Sequence, residues 1–327
     1  MKPILVSGIQ PTGRLHLGNY LGALKNFVDL QNSGKYRCYF FIADLHSLTE
    51  GFDPRRKQTQ ILDLAADYLA AGIGKNSIIF QQSKVPAHAE LGWIFETLAP
   101  LGEMERMTQF KNKSEFQRQN INVGLLTYPA LMAADIALYN ASVVPVGEDQ
   151  LQHLELSRTL VRKFNNKFGK TFIEPKPLLT KVPRLMSLDD PTKKMSKSRP
   201  AGCLFMEDSP AVIRQKIMRA TTDSGKEIEY DSRNKAGISN LLLIYSELSS
   251  KSVKTIEEKY KNSGYAEFKK DLAEMVIKTL APFQKRKKEL LKNHSSVLKN
   301  LRIGNKKANA VASKKILEVK KKIGLWV

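Results

Sequence analysis

Two short stretches of this 327-residue chain hold residue types suited to a polyphosphate. The first is Pro11-Thr12-Gly13-Arg14-Leu15-His16-Leu17-Gly18-Asn19, placed where the apolar run Ile4-Leu5-Val6 gives way to helical spacing. Its two glycines let the backbone approach a flat base or a phosphate, a helix N-terminus there attracts anions, and His16 and Asn19 put polar groups three residues apart. A glycine-bearing strand-to-helix turn is also an ordinary tight connection. The second stretch, Lys194-Met195-Ser196-Lys197-Ser198, follows Pro191-Thr192-Lys193 some 180 residues later. Lysines this dense on a Pro-flanked loop can fold over a triphosphate, with the Ser196 and Ser198 hydroxyls adding donors. A run of charge by itself is usually a solvated loop, so it is the two stretches together, in this order, that point to nucleotide chemistry.

Asp135 stands out by its isolation. It is the one carboxylate in Ala130-Leu131-Met132-Ala133-Ala134-Asp135-Ile136-Ala137-Leu138, and burying an unpaired charge in such a helix is costly, so Asp135 needs a donor. An indole N–H is a donor and nothing else; a carboxylate at the end of an apolar slot would hold it and reject phenylalanine. A structural salt bridge or a helix cap would satisfy Asp135 equally well. His88, His153 and His294 are scattered, with no i, i+4 pair and no accompanying Cys/Glu set to suggest a transition-metal site, and take no role.

The elements that must hold these residues alternate. Strand patterns at Ile4-Leu5-Val6, Cys38 to Ala43, Ser77 to Phe80 and Val143 to Val146 are interleaved with helical patterns at Tyr20 to Val28, Asp53 to Ala71, Ala87 to Leu98 and from Leu151 onward. That alternation predicts an α/β fold, a Rossmann-like parallel sheet wrapped by helices. After a Pro- and Lys-rich stretch from Pro175 to Pro200, residues 207–327 read as helices punctuated by Gly225, Gly264 and Gly304, a C-terminal all-helical domain. The expected boundary falls between 190 and 191. Lys and Arg number 53 against 32 Asp and Glu, a net charge of +21. From Lys251 onward there are 21 basic and 7 acidic residues, so this stretch carries +14 of the total and is where a polyanionic partner is expected. A lysine-rich compositional bias spread over solvated helices is the alternative. The N-terminus lacks the pattern of a signal peptide, no apolar run has the length of a membrane span, and Cys38 and Cys203 lie far apart without C-x-x-C spacing. A reducing cytoplasm and no membrane are the expectation.

With these residues in view, the chain resembles the class I aminoacyl-tRNA synthetases, whose signatures H-I-G-H and K-M-S-K-S correspond to His16-Leu17-Gly18-Asn19 and to an unaltered Lys194 to Ser198. Asn19 in place of the second His typifies the tryptophan branch. Further segments are similar to the bacterial-type tryptophanyl-tRNA synthetases over nearly the whole chain: Ser7-Gly8-Ile9-Gln10-Pro11, Glu105 to Lys111, Leu125 to Asp135, and Val144 to Gln150. One departure is Leu45 in Asp44-Leu45-His46, where that branch usually has Gln.

Carried over residue by residue, the resemblance implies ATP contacts at Gln10, Pro11, Thr12, Gly18, Asn19, Gly147, Glu148, Asp149, Gln150, Leu185, Lys194, Met195, Ser196, Lys197 and Ser198. Lys113 falls at a further nucleotide position. The amino-acid side chain is then expected among Asp135, Val6, Gly8, His46, Tyr128, Met132, Val144 and Val146, although core packing explains the Val and Met members equally well. Activation would need no protein nucleophile, only positioning and charge stabilisation by His16, Asn19, Lys113, Lys194 and Lys197 with Mg²⁺ on the ATP phosphates. Residues 1–190 are the expected catalytic domain, and 191–327 the K-M-S-K-S loop with a helical tRNA-binding domain, especially at Lys285-Arg286-Lys287-Lys288 and Lys306-Lys307. The resemblance also implies L-tryptophan and tRNA(Trp) as partners and a homodimer. A tyrosine-specific synthetase is the nearest rival, since a phenol could also donate to a pocket carboxylate. A small-molecule nucleotidyltransferase and a non-catalytic RNA-binding relative are the others.

Overall fold

A computed structural model describes residues 2–74, 76–110, 121–179 and 184–325. The chain opens with β1 (Ile4–Ile9), and the turn after it leads into α1 (Leu17–Asn19), a wider π-helical turn at Tyr20–Leu24 and α2 (Lys25–Asn32). β2 (Arg37–Ile42) is apolar and buried after Arg37, as a central parallel strand covered on both faces must be. α3 (Pro54–Ala71) has its ends written in sequence: the Asp53 side chain accepts from Arg55 N at 3.0 Å, Pro54 occupies the first turn, and Gly72 closes it at a φ of +98°. β3 (Ser77–Gln81), α4 (Ala87–Glu96), α5 (Leu101–Glu105), α6 (Val123–Ala137), β4 (Val143–Val146), α7 (Leu151–Phe168) and β5 (Lys176–Leu179) complete the pattern.

The five strands pair in parallel in the order β3-β2-β1-β4-β5. From β1 the chain moves outward on one side to β2 and β3, then returns to build β4 and β5 on the other. The crevice above β1 and β4 is therefore the topological switch point, where open α/β sheets bind ligands. These two strands pair at one position only, Leu5 opposite Val143, so Pro145 of β4 withholds no ladder hydrogen bond from β1. β5 comes out of the Pro- and Lys-rich stretch, where Pro177 disguises it; proline is tolerated there because β5 is an edge strand.

The remaining described α-helices are α8 (Pro210–Met218), α9 (Ala236–Ser249), α10 (Val253–Lys259), α11 (Tyr265–Lys292) and α12 (His294–Lys322). The chain packs as two compact units that interleave along it, a sheet unit of Met1–Gly13, Phe27–Thr180 and Leu290–Val327 and a helical unit of Arg14–Asn26 and Lys181–Glu289. The single cut expected between 190 and 191 compares with three segments in one unit and two in the other. Gly304 does not punctuate the last helix. α12 runs straight through it and packs on β3, α3 and α4, and a Cβ at Gly304 would meet the carbonyl oxygen of Ile79 at 1.6 Å. Glycine is there so that helix and edge strand can touch. One residue on, Asn305 Oδ1 accepts from Gln81 N at 2.9 Å, which satisfies a backbone donor of the edge strand.

Candidate active site

In the sheet unit, the carboxyl ends of β1 and β4 carry two of the turns that the sequence singles out. Gln10 to Gly13 follow β1 as a tight turn, with Thr12 N bonded to Gln10 O at 2.9 Å, Pro11 buried and Gly13 at a φ of +95°. After β4 the chain turns through Gly147, and Gln150 N reaches Gly147 O at 3.0 Å; Glu148 is exposed and Gln150 half-buried. Lys113 and the side chain of Asp149 lie outside the described residues.

Beneath this edge Asp135 is 1% exposed and has the donors its helix called for. His88 Nδ1 lies 2.6 Å from Oδ1, His46 Nε2 lies 2.7 Å from Oδ2, and Gln82 Nε2 straddles both oxygens at 2.8 and 3.0 Å. Burial alone would push this carboxyl up, but the charges and hydrogen bonds of His46 and His88 outweigh it and hold Asp135 below the usual carboxylate range. His88, given no role by the sequence, is completely buried, boxed by the rings of Phe41, Phe80 and Tyr139, and pairs through Nε2 with the Tyr139 hydroxyl at 2.8 Å. His153 pairs in the same way with the Tyr128 hydroxyl, at 2.8 Å, and the Tyr128 ring meets His46 edge-on at 6.0 Å.

The other expected side-chain contacts sort into two kinds. Val6, Val144 and Val146 are buried in the apolar cluster that also contains Ala133 and Ala134, and Met132 packs against it half-buried. Gly8 leaves room for a ring, since a Cβ there would come within 2.7 Å of Phe41. Leu45, the departure from the family pattern, offers its backbone: its N–H donates to Gln82 Oε1 at 3.2 Å. A groove of about 400 Å³ borders Leu45, Thr49, Trp93, Tyr128 and Leu131; Tyr128 alone among its lining residues belongs to the expected amino-acid set.

In the helical unit the two signatures meet. His16 and Asn19 form a reciprocal cap at the start of α1: Asn19 N donates to His16 Nδ1 at 3.3 Å, and His16 N donates to Asn19 Oδ1 at 3.2 Å. Because Nδ1 accepts, the ring proton sits on Nε2. Gly18 permits this geometry, for a Cβ there would press on the imidazole at 3.0 Å. Residues 204–206 pair antiparallel with 15–17, with Leu17 N on Leu204 O at 2.8 Å and Met206 N on Leu15 O at 2.9 Å, which fixes the cap in place. Burial, then the positive charge of Lys197 and Lys194, pulls the His16 pKa down to about 4. His16 is therefore a neutral donor at physiological pH, not a cation.

The lysine loop is anchored by its backbone and by one buried side chain. Met195, 2% exposed, bonds through N to Leu185 O at 3.0 Å, and Ser187 N reaches Lys193 O at 2.7 Å. Leu185 is buried, Lys194 is exposed, Lys197 is half-buried, and the Ser196 and Ser198 hydroxyls bond each other at 3.0 Å. The structure thus puts His16, Gly18, Asn19, Leu185 and the Lys194–Ser198 loop in one unit. It puts Gln10, Pro11, Thr12, Gly147, Glu148, Gln150 and all eight amino-acid candidates in the other. Gln82 had no signal in the sequence, because a lone glutamine after a strand looks like any turn residue.

In the helical unit a neutral donor at a helix start with a lysine loop beside it, and in the sheet unit turns at the switch point of a parallel sheet, are each suited to contacts with a nucleotide. The family comparison makes that specific: the family model described as tRNA synthetases class I (W and Y) matches residues 1–281, and the chain belongs to that family. It is 48% identical over 326 residues to a tryptophan–tRNA ligase of Bacillus anthracis, covering 98% of each chain, and 46% identical over 329 residues to the one of Bacillus subtilis, covering 99% and 98%. Among solved structures, tryptophanyl-tRNA synthetase from Mycoplasma pneumoniae superposes with a TM-score of 0.91 at 35% identity over 100% of this chain and 99% of its own. The enzyme from Campylobacter jejuni, complexed with ADP and tryptophan, gives 0.83 at 33% identity over 98% and 99%.

Proposed function

We propose that this chain is a tryptophan–tRNA ligase, which activates L-tryptophan with ATP to tryptophanyl-adenylate and passes the aminoacyl group to tRNA(Trp). The observation that carries the ligase reading is the field of Lys194 and Lys197 at His16, which couples the two signatures across the chain. The tryptophan reading is favoured over tyrosine by the identity to tryptophan–tRNA ligases over nearly the full length of both chains.

In the first step a tryptophan carboxylate oxygen bonds to the α-phosphorus of ATP, the bond to the β-phosphate breaks, and pyrophosphate leaves. His16, neutral and protonated on Nε2, donates to a phosphate oxygen without adding charge, while Lys194 and Lys197 offset the charge that moves onto the pyrophosphate. Mg²⁺ enters with ATP as part of the substrate and neutralises phosphate charge. The nucleotide contacts are assigned to Gln10, Pro11, Thr12 and the Gly147–Gln150 turn in the sheet unit and to Gly18, Asn19 and Leu185 in the helical unit, with Lys113 assigned from the sequence resemblance alone. Asp135 receives the indole N–H. Its protein donors already occupy both oxygens, so the indole joins Oδ2 by sharing with or displacing His46, the most accessible of the three. In the second step a terminal ribose hydroxyl of tRNA attacks the carbonyl carbon and AMP leaves.

The tRNA-binding set is exposed Lys285, Arg286 and Lys288 on α11 of the helical unit and, taken separately, exposed Lys306 and Lys307 on α12 of the sheet unit. Lys287 is not part of it: it is 3% exposed and ion-paired with Glu207. The enzyme works as a homodimer in the cytoplasm; no helix among the described residues is long and apolar enough to cross a membrane. Charging of tRNA(Trp) with labelled tryptophan against labelled tyrosine tests the reading. Tryptophan alone should be loaded, and loading of tyrosine at a comparable rate would overturn it.

A further inference from the structure

Asp135 is held by two residues, Gln82 and His88, that belong neither to the expected amino-acid set nor to the expected ATP contacts. Gln82 has no exposed surface, and its amide is used at both ends. Oε1 accepts from Leu45 N at 3.2 Å and His46 N at 3.5 Å, and Nε2 donates to both oxygens of Asp135. One side chain therefore ties the end of β3 to the loop after β2 and to the last turn of α6. His88 ties α4 to Asp135 and to Tyr139, just past the end of α6. A carboxylate only accepts, so its Nδ1 carries the proton toward Asp135, and Nε2 is left to pair with the Tyr139 hydroxyl.

The two donors differ from His46 in a way that matters for selection. Gln82 and His88 are fully buried and approach from the core, whereas His46 is partly accessible and reaches Oδ2 alone. Held at both oxygens by fully buried donors, the carboxylate cannot rotate to follow a ligand, and Oδ2, which it shares with His46, is the oxygen whose neighbour is the more accessible. We propose that Gln82 and His88 are positioning residues for substrate selection: they fix Asp135 so that the pocket requires an N–H donor from the amino acid's ring. A fixed acceptor that loses its partner stays desolvated and unpaired, which is what makes rejection of a donorless ring strong. A carboxylate free to turn would find another partner and discriminate weakly.

The proposal rests on the reading that Asp135 takes the indole N–H, and one assay separates the two. ATP–pyrophosphate exchange is measured with L-tryptophan and with β-(3-benzothienyl)-L-alanine, in which sulfur replaces the ring N–H. The wild type should prefer tryptophan by about 10²-fold in kcat/KM, in line with the value of a hydrogen bond to a charged group. Gln82→Met keeps the side-chain length and removes both hydrogen-bonding ends; it should lower the preference about 10-fold while the KM for ATP moves less than about twofold. Tyr139→Phe removes only the hydroxyl behind His88 and should shift the preference the same way by about threefold. If Gln82→Met does not fold, Tyr139→Phe decides alone. Equal loss for both amino acids, with the preference intact, would mean that these residues serve only the scaffold, and the proposal falls. If that happens while Asp135→Asn abolishes the preference, the indole reading stands without it. A wild type that does not distinguish the two amino acids overturns both.

Discussion

Asp135 is 1% exposed and every polar group around it is a side chain of the same compact unit, whereas Lys194 lies exposed on a loop that backbone bonds and the buried Met195 hold in place. The contrast follows from what each must recognise. An aromatic ring is told from its competitors by one donor in an apolar slot, and the discrimination survives only if the acceptor is rigid and dry. A triphosphate is large, flexible and highly charged, and mobile ammonium groups can follow it from ground state to transition state.

Substitutions should separate the two regions by the ligand they affect. Asp135→Asn replaces an acceptor-only group with one that presents an N–H to Gln82, His46 and His88, and should reduce kcat/KM for tryptophan by about 10²- to 10³-fold with little change in the KM for ATP. Equal losses for both ligands would break the division of labour. Lys197→Ala should slow activation by about 10²-fold with a modest change in tryptophan affinity. An unchanged ATP–pyrophosphate exchange rate would remove Lys197 from the chemistry.

Stability gives a third handle. Gly304→Ala forces a methyl against the Ile79 carbonyl, and should cost about 1–3 kcal/mol in denaturant unfolding as α12 shifts off β3. A neutral result would mean that this contact is loose. A smaller effect is electrostatic. The folded His16 titrates at about 4 against 6.5 for a free imidazole, so between those values the unfolded chain binds a proton that the folded one refuses. Its contribution to stability is whole above pH 6.5 and disappears as the pH falls toward 4. Lys197→Ala should raise the His16 pKa, which NMR titration of the imidazole would report; no change would mean that burial alone keeps His16 neutral.

Four of the five strands and the two signatures were legible because they are local. Strand and helix periods and the letters of His16 to Asn19 and Lys194 to Ser198 each sit within a few residues of sequence. Asp135 was legible as a need, a lone carboxylate in an apolar helix, but what met the need was not. Its donors come from the loop after β2, the end of β3 and α4, and their sequence separations of 89, 53 and 47 residues leave no local trace. Gly304 misled for the same reason. In sequence a glycine in a helical pattern reads as an end, and only the packing of α12 on β3 shows it to be a point of contact. All four residues of the basic run at 285–288 are expected on the tRNA surface, yet burial turns Lys287 inward to Glu207 and leaves its neighbours outside.

The division between a rigid selector and an adaptable phosphate loop has meaning only if the selector is set for one amino acid. ATP–pyrophosphate exchange by the full-length chain across the twenty amino acids tests that directly. Exchange should depend on tryptophan, with tyrosine and phenylalanine lower by about 10²-fold or more. Exchange driven equally by tyrosine, or by no amino acid at all, would contradict the account.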